Sequence, residues 1–463
     1  MSSLTTRMQA AQPQDAGGLP QPQRTIAIVA ILSALALVVV DSAIANIALP
    51  SIGHALHVRP ALSVLVVTAY QLALVMTLLP TAALGESLGY RKTYTLGVAL
   101  FTAASVLCAL SPSLPFLVAA RFLQGLGGAA IMSLGIALMR LVVPRARLGT
   151  AIGWNALTVA LASAAGPAIG AFILSVLSWP WLFAVNLPLG AMALAAGRAL
   201  PHTPGSARKL DAISMALNAG IFGAFVTGVE FLPTRPALAA GLLAAAGMGL
   251  WALIRRERPQ KAPLIPIDLL RSASFRVSVI ASVCCFVGQT AGLVALPFYL
   301  EHGLHQSALM TGLIIMPWPL TVALTAPVSG RLADRLPGAW LCAAGGVLLA
   351  AGLAFAAAWP LNGKPFVLVP MIMLCGLGFG LFQVPNNRNM YLAAPPERSG
   401  AAGGMQGTAR LSGQTLGAVL MTLLFTLVSA GAAPRLGMAI GALLSAAAGL
   451  VSILRSPPRE GRP

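Results

Sequence analysis

The chain is short of charge, and shortest of acid. Its 463 residues include only 11 Asp and Glu, and charged types together make up 9%. A water-facing domain usually carries about 25% charged residues, so a soluble globular protein is excluded. Cysteine is scarce too. Cys108, Cys284, Cys285, Cys342 and Cys375 all lie within apolar runs, without the spacing of a metal site or a disulfide scaffold. Of the five histidines, His54/His57 and His302/His305 stand three apart in expected outer loops with no third ligand, so no metal is expected. The chain also lacks His-Glu-x-x-His, Gly-x-Ser-x-Gly, a Gly-x4-Gly-Lys-[Ser/Thr] nucleotide loop and paired intramembrane aspartates. No catalytic residue is assigned, and neither an enzyme nor an ATP-driven pump is expected.

What is present is apolar length. The composition is 57% hydrophobic, with a mean hydropathy of +0.85. Short charged clusters separate apolar runs of bilayer-spanning length. Fourteen spans are expected, at 25–47, 62–84, 93–112, 115–139, 149–173, 180–200, 211–231, 236–254, 275–299, 307–329, 339–359, 366–390, 400–428 and 435–454. They group into a polar N-terminal tail (1–24), six spans (25–205), two spans with basic flanks (206–274), six more (275–454) and a basic tail (455–463). The first segment is not a cleavable signal: residues 1–24 are polar, and no small-residue cleavage site follows the first apolar run.

The net charge of +18 becomes readable once the spans are placed. With the N-terminus in the cytoplasm, all but six of the 29 Lys and Arg fall on the cytoplasmic side. Only Arg59, Arg235, Lys364 and Arg435 fall outside, and Arg121 and Arg410 lie deep within spans. That is the positive-inside bias, and it sets both termini in the cytoplasm. The basic balance therefore reports topology and a lipid bilayer as partner, not nucleic acid.

Within the first span stands Asp41, preceded by fifteen uncharged residues. An ionisable group inside a bilayer is costly and marks a functional site by default. At 1.5 Å per residue, Asp41 lies about 21 Å from the cytoplasmic edge and Arg121 about 9 Å from the outer edge of a core about 30 Å thick. The two sit at nearly one level. Asp41 then acts in proton coupling, or it merely pairs with a helix end and fixes packing.

Other polar residues interrupt apolar spans: Asn46, Tyr70, Gln71, Gln124, Trp154, Asn155, Gln289, Gln383, Asn386 and Arg410. Each either lines a substrate cavity or bonds a neighbouring helix. Arg410 is about 15 Å into its span, too deep to snorkel easily, and needs carbonyls, water or a bound anion. Against these two arginines, Asp41 is the one clear intramembrane acid. The cavity is therefore not an obvious cation trap, and neutral, zwitterionic or weakly anionic amphipathic compounds are as open as lipophilic cations.

Six segments recur in order along the chain: Asp41…Asn46-Ile47-Ala48-Leu49-Pro50; Arg121-Phe122-Leu123-Gln124-Gly125; Ala162…Gly166-Pro167…Gly170-Ala171; Trp179-Pro180-Trp181…Asn186-Leu187-Pro188; Pro263…Asp268-Leu269-Leu270-Arg271; and Gly330-Arg331-Leu332-Ala333-Asp334-Arg335. Together they resemble the fourteen-span drug:proton antiporters of the major facilitator superfamily. The resemblance covers nearly everything after residue 25. It implies an all-α integral membrane protein of the major facilitator fold, two six-helix bundles plus two extra linker helices. It implies a secondary transporter of the bacterial inner membrane, exporting small amphipathic drugs or toxic compounds in exchange for protons. The alternative is a dedicated exporter or importer of one metabolite.

No cofactor is implied beyond the proton gradient. The partners are a small-molecule substrate and protons. A periplasmic adaptor with an outer-membrane channel is an open possibility; otherwise the protein is a monomer. The resemblance also assigns Asp41 and Arg121 to proton coupling. Gating loops and bends fall at Gly85, Glu86, Gly89 and Arg91, at Gly166, Pro167 and Gly170, and at Gly330, Asp334 and Arg335. The first cytoplasmic loop, Leu84–Lys92, departs from the family pattern: Ala82 replaces its opening Gly and Glu86 its Asp.

Overall fold

The computed structural model describes residues 18–454 apart from 59, 64, 206–210, 233–234, 261–262, 361–362 and 430. Most of the expected terminal tails, 1–17 and 455–463, lie outside the described residues, as does part of the basic stretch before the seventh span. Among the described residues every regular element is helical. The main helices are α1 (Gln23–Ala55), α2 (Leu65–Leu88), α3 (Tyr90–Ala109), α4 (Leu114–Val142), α5 (Leu148–Val176), α6 (Asn186–Ala196), α7 (Ala212–Glu230) and α8 (Pro236–Glu257). They continue with α9 (Ala273–Phe298), α10 (Pro317–Arg335), α11 (Gly338–Ala358), α12 (Leu368–Ala393), α13 (Ser399–Leu427) and α14 (Ala433–Ile453).

Thirteen helical segments among the described residues are long and apolar enough to cross a bilayer. Helix α5, 29 residues of nearly unbroken apolar sequence, occupies the remaining expected position. Large side chains such as Phe172, Met248, Leu427 and Leu443 are about two-thirds exposed or more. A surface of that kind is stable only against lipid.

Several helix starts follow local rules. Pro236 and Pro317 occupy first positions, where the missing N–H costs nothing. Asp211 caps α7, accepting from the N–H groups of Ile213 and Ser214 at 3.0 and 3.2 Å. The Arg256 bond at the foot of α8, then the Ser214 bonds, hold its carboxyl below the ordinary carboxylate range.

Packing follows two similar patterns. Helices α1, α5 and α6 lie together, as do α2, α3 and α4; in the second half α9 meets α13 and α14, while α11 and α12 pack on each other. Glycines set matching close crossings in the two halves. A Cβ at Gly127 would lie 2.7 Å from the Gly97 carbonyl oxygen, and one at Gly378 would lie 2.6 Å from that of Gly345. The first helix of each half also ends on the same device, a Leu-His pair with the histidine at positive φ (His57, +53°; His305, +52°). The pair α7–α8 leans on α2, where Asn218 Nδ2 donates to the Met76 carbonyl at 2.9 Å.

Three helix ends run well past expectation. Helix α1 runs on to Ala55, well past the expected end at 47. The segments expected as the loops Leu84–Lys92 and Gly330–Leu336 are mostly helix: α2 continues to Leu88 and α10 to Arg335. Charge marks where lipid ends, and the hydrogen-bonded helix continues beyond it. The first loop shrinks to a turn at Gly89, whose φ of +97° and closeness to the Thr203 carbonyl leave no room for a Cβ.

Candidate functional site

Asp41 and Arg121 meet. Arg121 Nη1 donates to Asp41 Oδ2 at 2.5 Å and to Gln124 Oε1 at 2.6 Å, while its Nε donates to the Val66 carbonyl at 3.1 Å. The other carboxylate oxygen, Oδ1, accepts from Asn186 Nδ2 at 2.6 Å and Gln124 Nε2 at 2.9 Å. Gln124 Nε2 also donates to Ser105 Oγ at 2.8 Å. The guanidinium carbon lies 4.3 Å from the centre of the Tyr70 ring, with Phe183 at 5.5 Å. All of this is out of solvent: Asp41 is 1% exposed and Arg121 0%.

Five helices, α1, α2, α3, α4 and α6, therefore converge on one carboxylate and its counter-ion. A buried pair holds only when the remaining lone pairs and protons are also bonded, and removing one partner typically costs 3–5 kcal/mol. Here the carboxylate takes three donors. Adding a proton to it would remove the charge to which these donors, Arg121 above all, are bound. Arg121 Nη2 and Asn186 Oδ1 are left without a partner among the described residues. Close packing brings the helices together beside the pair: a Cβ at Gly166 of α5 would lie 2.5 Å from that of Ala43, and one at Gly170 would lie 3.6 Å from Ile44. The side chains of Asn46 and Pro167 lie outside the described residues.

Next to this network, between the two halves, is a cavity of about 590 Å³, within the usual range for a small-molecule site. Of the expected cavity residues, Tyr70, Gln71 and Arg410 line it, joined by Gln414 and Thr415 of α13. Val226 and Val229 of α7 supply part of its apolar wall. Tyr70 is shared: it lines the cavity and carries the Arg121 guanidinium over its ring.

The other expected cavity residues are placed elsewhere. Gln124 is fully buried in the Asp41 network. Asn386 Nδ2 donates to the Ser278 carbonyl of α9 at 3.1 Å, a helix-to-helix bond. Trp154, 45% exposed, and Asn155, Gln289 and Gln383 are not among the lining residues.

The residues expected in the gating loops, on α2 and α10, gather at the end of the bundle that carries the basic clusters. Asp334 of α10 receives the N–H groups of Gly149 and Thr150 at 2.8 and 2.9 Å and pairs with Arg388 at 3.2 Å, so it caps the start of α5 across the two halves. Glu86 of α2 does the reverse. Its Oε1 accepts from the Ala401 N–H of α13 at 2.9 Å, and its Oε2 pairs with Arg398 at 2.5 Å. Despite its departures from the family pattern, the first segment keeps the acid-to-helix-start geometry. Gly330 packs on Gly149, where a Cβ would lie 2.5 Å from the carbonyl oxygen, and Gly85 packs on Leu134. Arg91 stays within the first half, its N–H on Thr203 Oγ1 at 3.0 Å. Arg335 ends α10, exposed.

Arg398 ties in a third partner. Its Nε and Nη2 fork onto Asp268 at 2.9 and 3.0 Å, and Nη2 also donates to the Pro263 carbonyl at 3.0 Å. The segment following the extra helices is thus bound into the same cluster.

This arrangement has relatives. The profile of the Major Facilitator Superfamily matches residues 31–418 and again 279–463. The chain belongs to the Major Facilitator Superfamily. Among similar family members is the uncharacterized transporter YebQ of Escherichia coli (strain K12), 45% identical over 88% of this chain and 91% of its own. The riboflavin transporter RibZ of Clostridioides difficile (strain 630) is 30% identical over 87% of this chain and 88% of its own. The tetracenomycin C resistance and export protein of Streptomyces glaucescens is 30% identical over 86% and 75%. Among solved structures, the human organic anion transporter MFSD10 superposes with a TM-score of 0.68 over 94% of this chain and all of its own; at 15% identity this shows the major facilitator fold alone. As a major facilitator protein the chain is a multi-pass membrane transporter, not an enzyme.

Two members of the buried network, Asn186 and Ser105, were not singled out from the sequence. Asn186 sat in view within Trp179-Pro180-Trp181…Asn186, but nothing local connects it to a carboxylate 145 residues away. Ser105 carried no signal at all; a lone hydroxyl in an apolar span usually bonds its own helix, as it also does here with Phe101.

Proposed function

We propose that the protein is a proton-coupled exporter of small amphipathic compounds, working by alternating access across the bacterial inner membrane with both termini in the cytoplasm. The observation that carries this reading is the Asp41–Arg121 pair, sealed directly behind the wall of the cavity. A carboxylate in that position is a proton switch. When it is ionised, Arg121, Gln124 and Asn186 hold α1, α4 and α6 together; when it is protonated, that grip loosens and the helices shift relative to one another. With the basic end on the cytoplasmic side, the Glu86 and Asp334 caps close the inner face, and the cavity belongs to the outward-facing state. Export of tetracenomycin C by one relative supports the direction of transport. The proton gradient is the energy source.

A second reading is a dedicated carrier of one metabolite, favoured by the 30% identity to a riboflavin transporter over most of both chains. Inverted membrane vesicles separate the two. On energising the vesicles and adding riboflavin, tetracenomycin C and ethidium in turn, an exporter of broad range releases protons with more than one of them. Release with riboflavin alone would favour the dedicated carrier, and transport without proton movement would defeat the coupled reading.

A further inference from the structure

Arg410 is the one charged side chain among the residues lining the cavity, and its own bonds do not account for it. It is the twelfth residue of α13, about 17 Å from the helix start, so its head group cannot reach either interface. Its Nη2 finds only the thioether of Met132, at 3.7 Å, a weak acceptor. Its Nε is buried without a partner among the described residues. A guanidinium left this way in a low-dielectric site is costly unless an acceptor joins it.

Among the described residues no carboxylate is bonded to it. Asp41 is taken up by Arg121, Gln124 and Asn186, is buried, and is not among the lining residues. The wall adds neutral hydrogen-bonding groups, Gln71 and Gln414, and an apolar face from Val226 and Val229. A cation entering here would meet the Arg410 charge, with no acid among the described lining residues to offset it.

We propose that Arg410 is the anion-recognising residue of the cavity. Its cargo is an amphipathic organic oxyanion, with a carboxylate or sulfonate on the guanidinium and an apolar body against Val226 and Val229. The inference rests on the transporter reading and narrows its substrate class. The guanidinium supplies a fork that matches a two-oxygen anion, which an ammonium would not do equally well. It also gives the extra helix α7 a part in the binding surface, since two of the apolar contacts come from it.

The test uses the purified full-length protein and three probes on one ring system: naphthalene-2-carboxylate, 2-naphthamide and 2-naphthylmethylammonium. Equilibrium binding needs no gradient, so its outcome is independent of proton coupling. Wild type is expected to bind the carboxylate about tenfold more tightly than either other probe. Arg410→Gln should remove that preference, and Arg410→Lys should keep part of it. Equal or tighter binding of the ammonium, an undiminished carboxylate preference in Arg410→Gln, or no carboxylate binding at millimolar concentration would each overturn the proposal. Should Arg410→Gln fail to fold, the order of the three probes on wild type and the Arg410→Lys variant still decide it.

Discussion

Asp41 is held by three side-chain donors, from Arg121, Gln124 and Asn186. Arg121 is oriented by its Nε bond to Val66 and by the Tyr70 ring, so charge alone does not describe it. Arg121→Lys keeps the charge and loses the fork. Proton-coupled transport is expected to fall at least about tenfold while the amount of protein in the membrane stays near wild type, measured by initial efflux rates normalised to expression. Asn186→Ala removes one donor from Oδ1 and leaves the ion pair. The expected cost is about 1–3 kcal/mol of network stability, read as a lower melting temperature in detergent and a partial loss of coupling. At this scale the sequence was partly legible. Helix rise placed Asp41 and Arg121 at one depth before any contact was known. Gln124 was legible as polar but not as a partner of Asp41, because three residues along α4 puts it beside Arg121 rather than toward the cavity.

Among the elements, the ends of helices decide more than their middles. Hydropathy found the membrane helices because apolar length is what a bilayer demands. It placed Glu86 and Asp334 in loops, since it registers the end of the lipid and cannot see hydrogen bonds that extend a helix into water. On the last turns of α2 and α10 these acids have fixed directions, and each reaches the first turn of a helix in the opposite half. The small residues of the expected antiporter segment act through closeness: Gly166 lets α5 lie on α1 within two residues of Asp41. Gly166→Leu would force these helices apart, at an expected cost of about 1–3 kcal/mol. A lowered melting temperature with strongly reduced efflux is the outcome to look for; unchanged thermal stability would mean the crossing is not where the strain falls.

For the whole molecule, the two acid caps, Arg398 and the Asp268 segment form one clamp at the basic end, opposite the open cavity. A helix start capped by a carboxylate gains typically 0.3–1 kcal/mol, and more when partly buried. Losing both caps should therefore move the balance of open states by several-fold. In a Cys-free background carrying Gln414→Cys in the cavity wall, Glu86→Ala with Asp334→Asn should slow labelling by an impermeant maleimide from the outer side. Labelling as fast as in the parent would show that the clamp does not hold this state. That the two acid-bearing segments each end the second span of a six-span group was legible in the sequence. The link from the extra helices to Arg398 was not, because it joins residues 130 positions apart.

In the proposed mechanism, protonation of Asp41 couples the proton gradient to movement of cargo. The most direct measurement compares two activities of Asp41→Asn in proteoliposomes: accumulation driven by a pH gradient, and exchange of cargo across the membrane with no gradient. The variant is expected to lose driven accumulation and keep exchange. Accumulation at the wild-type level in Asp41→Asn would contradict it.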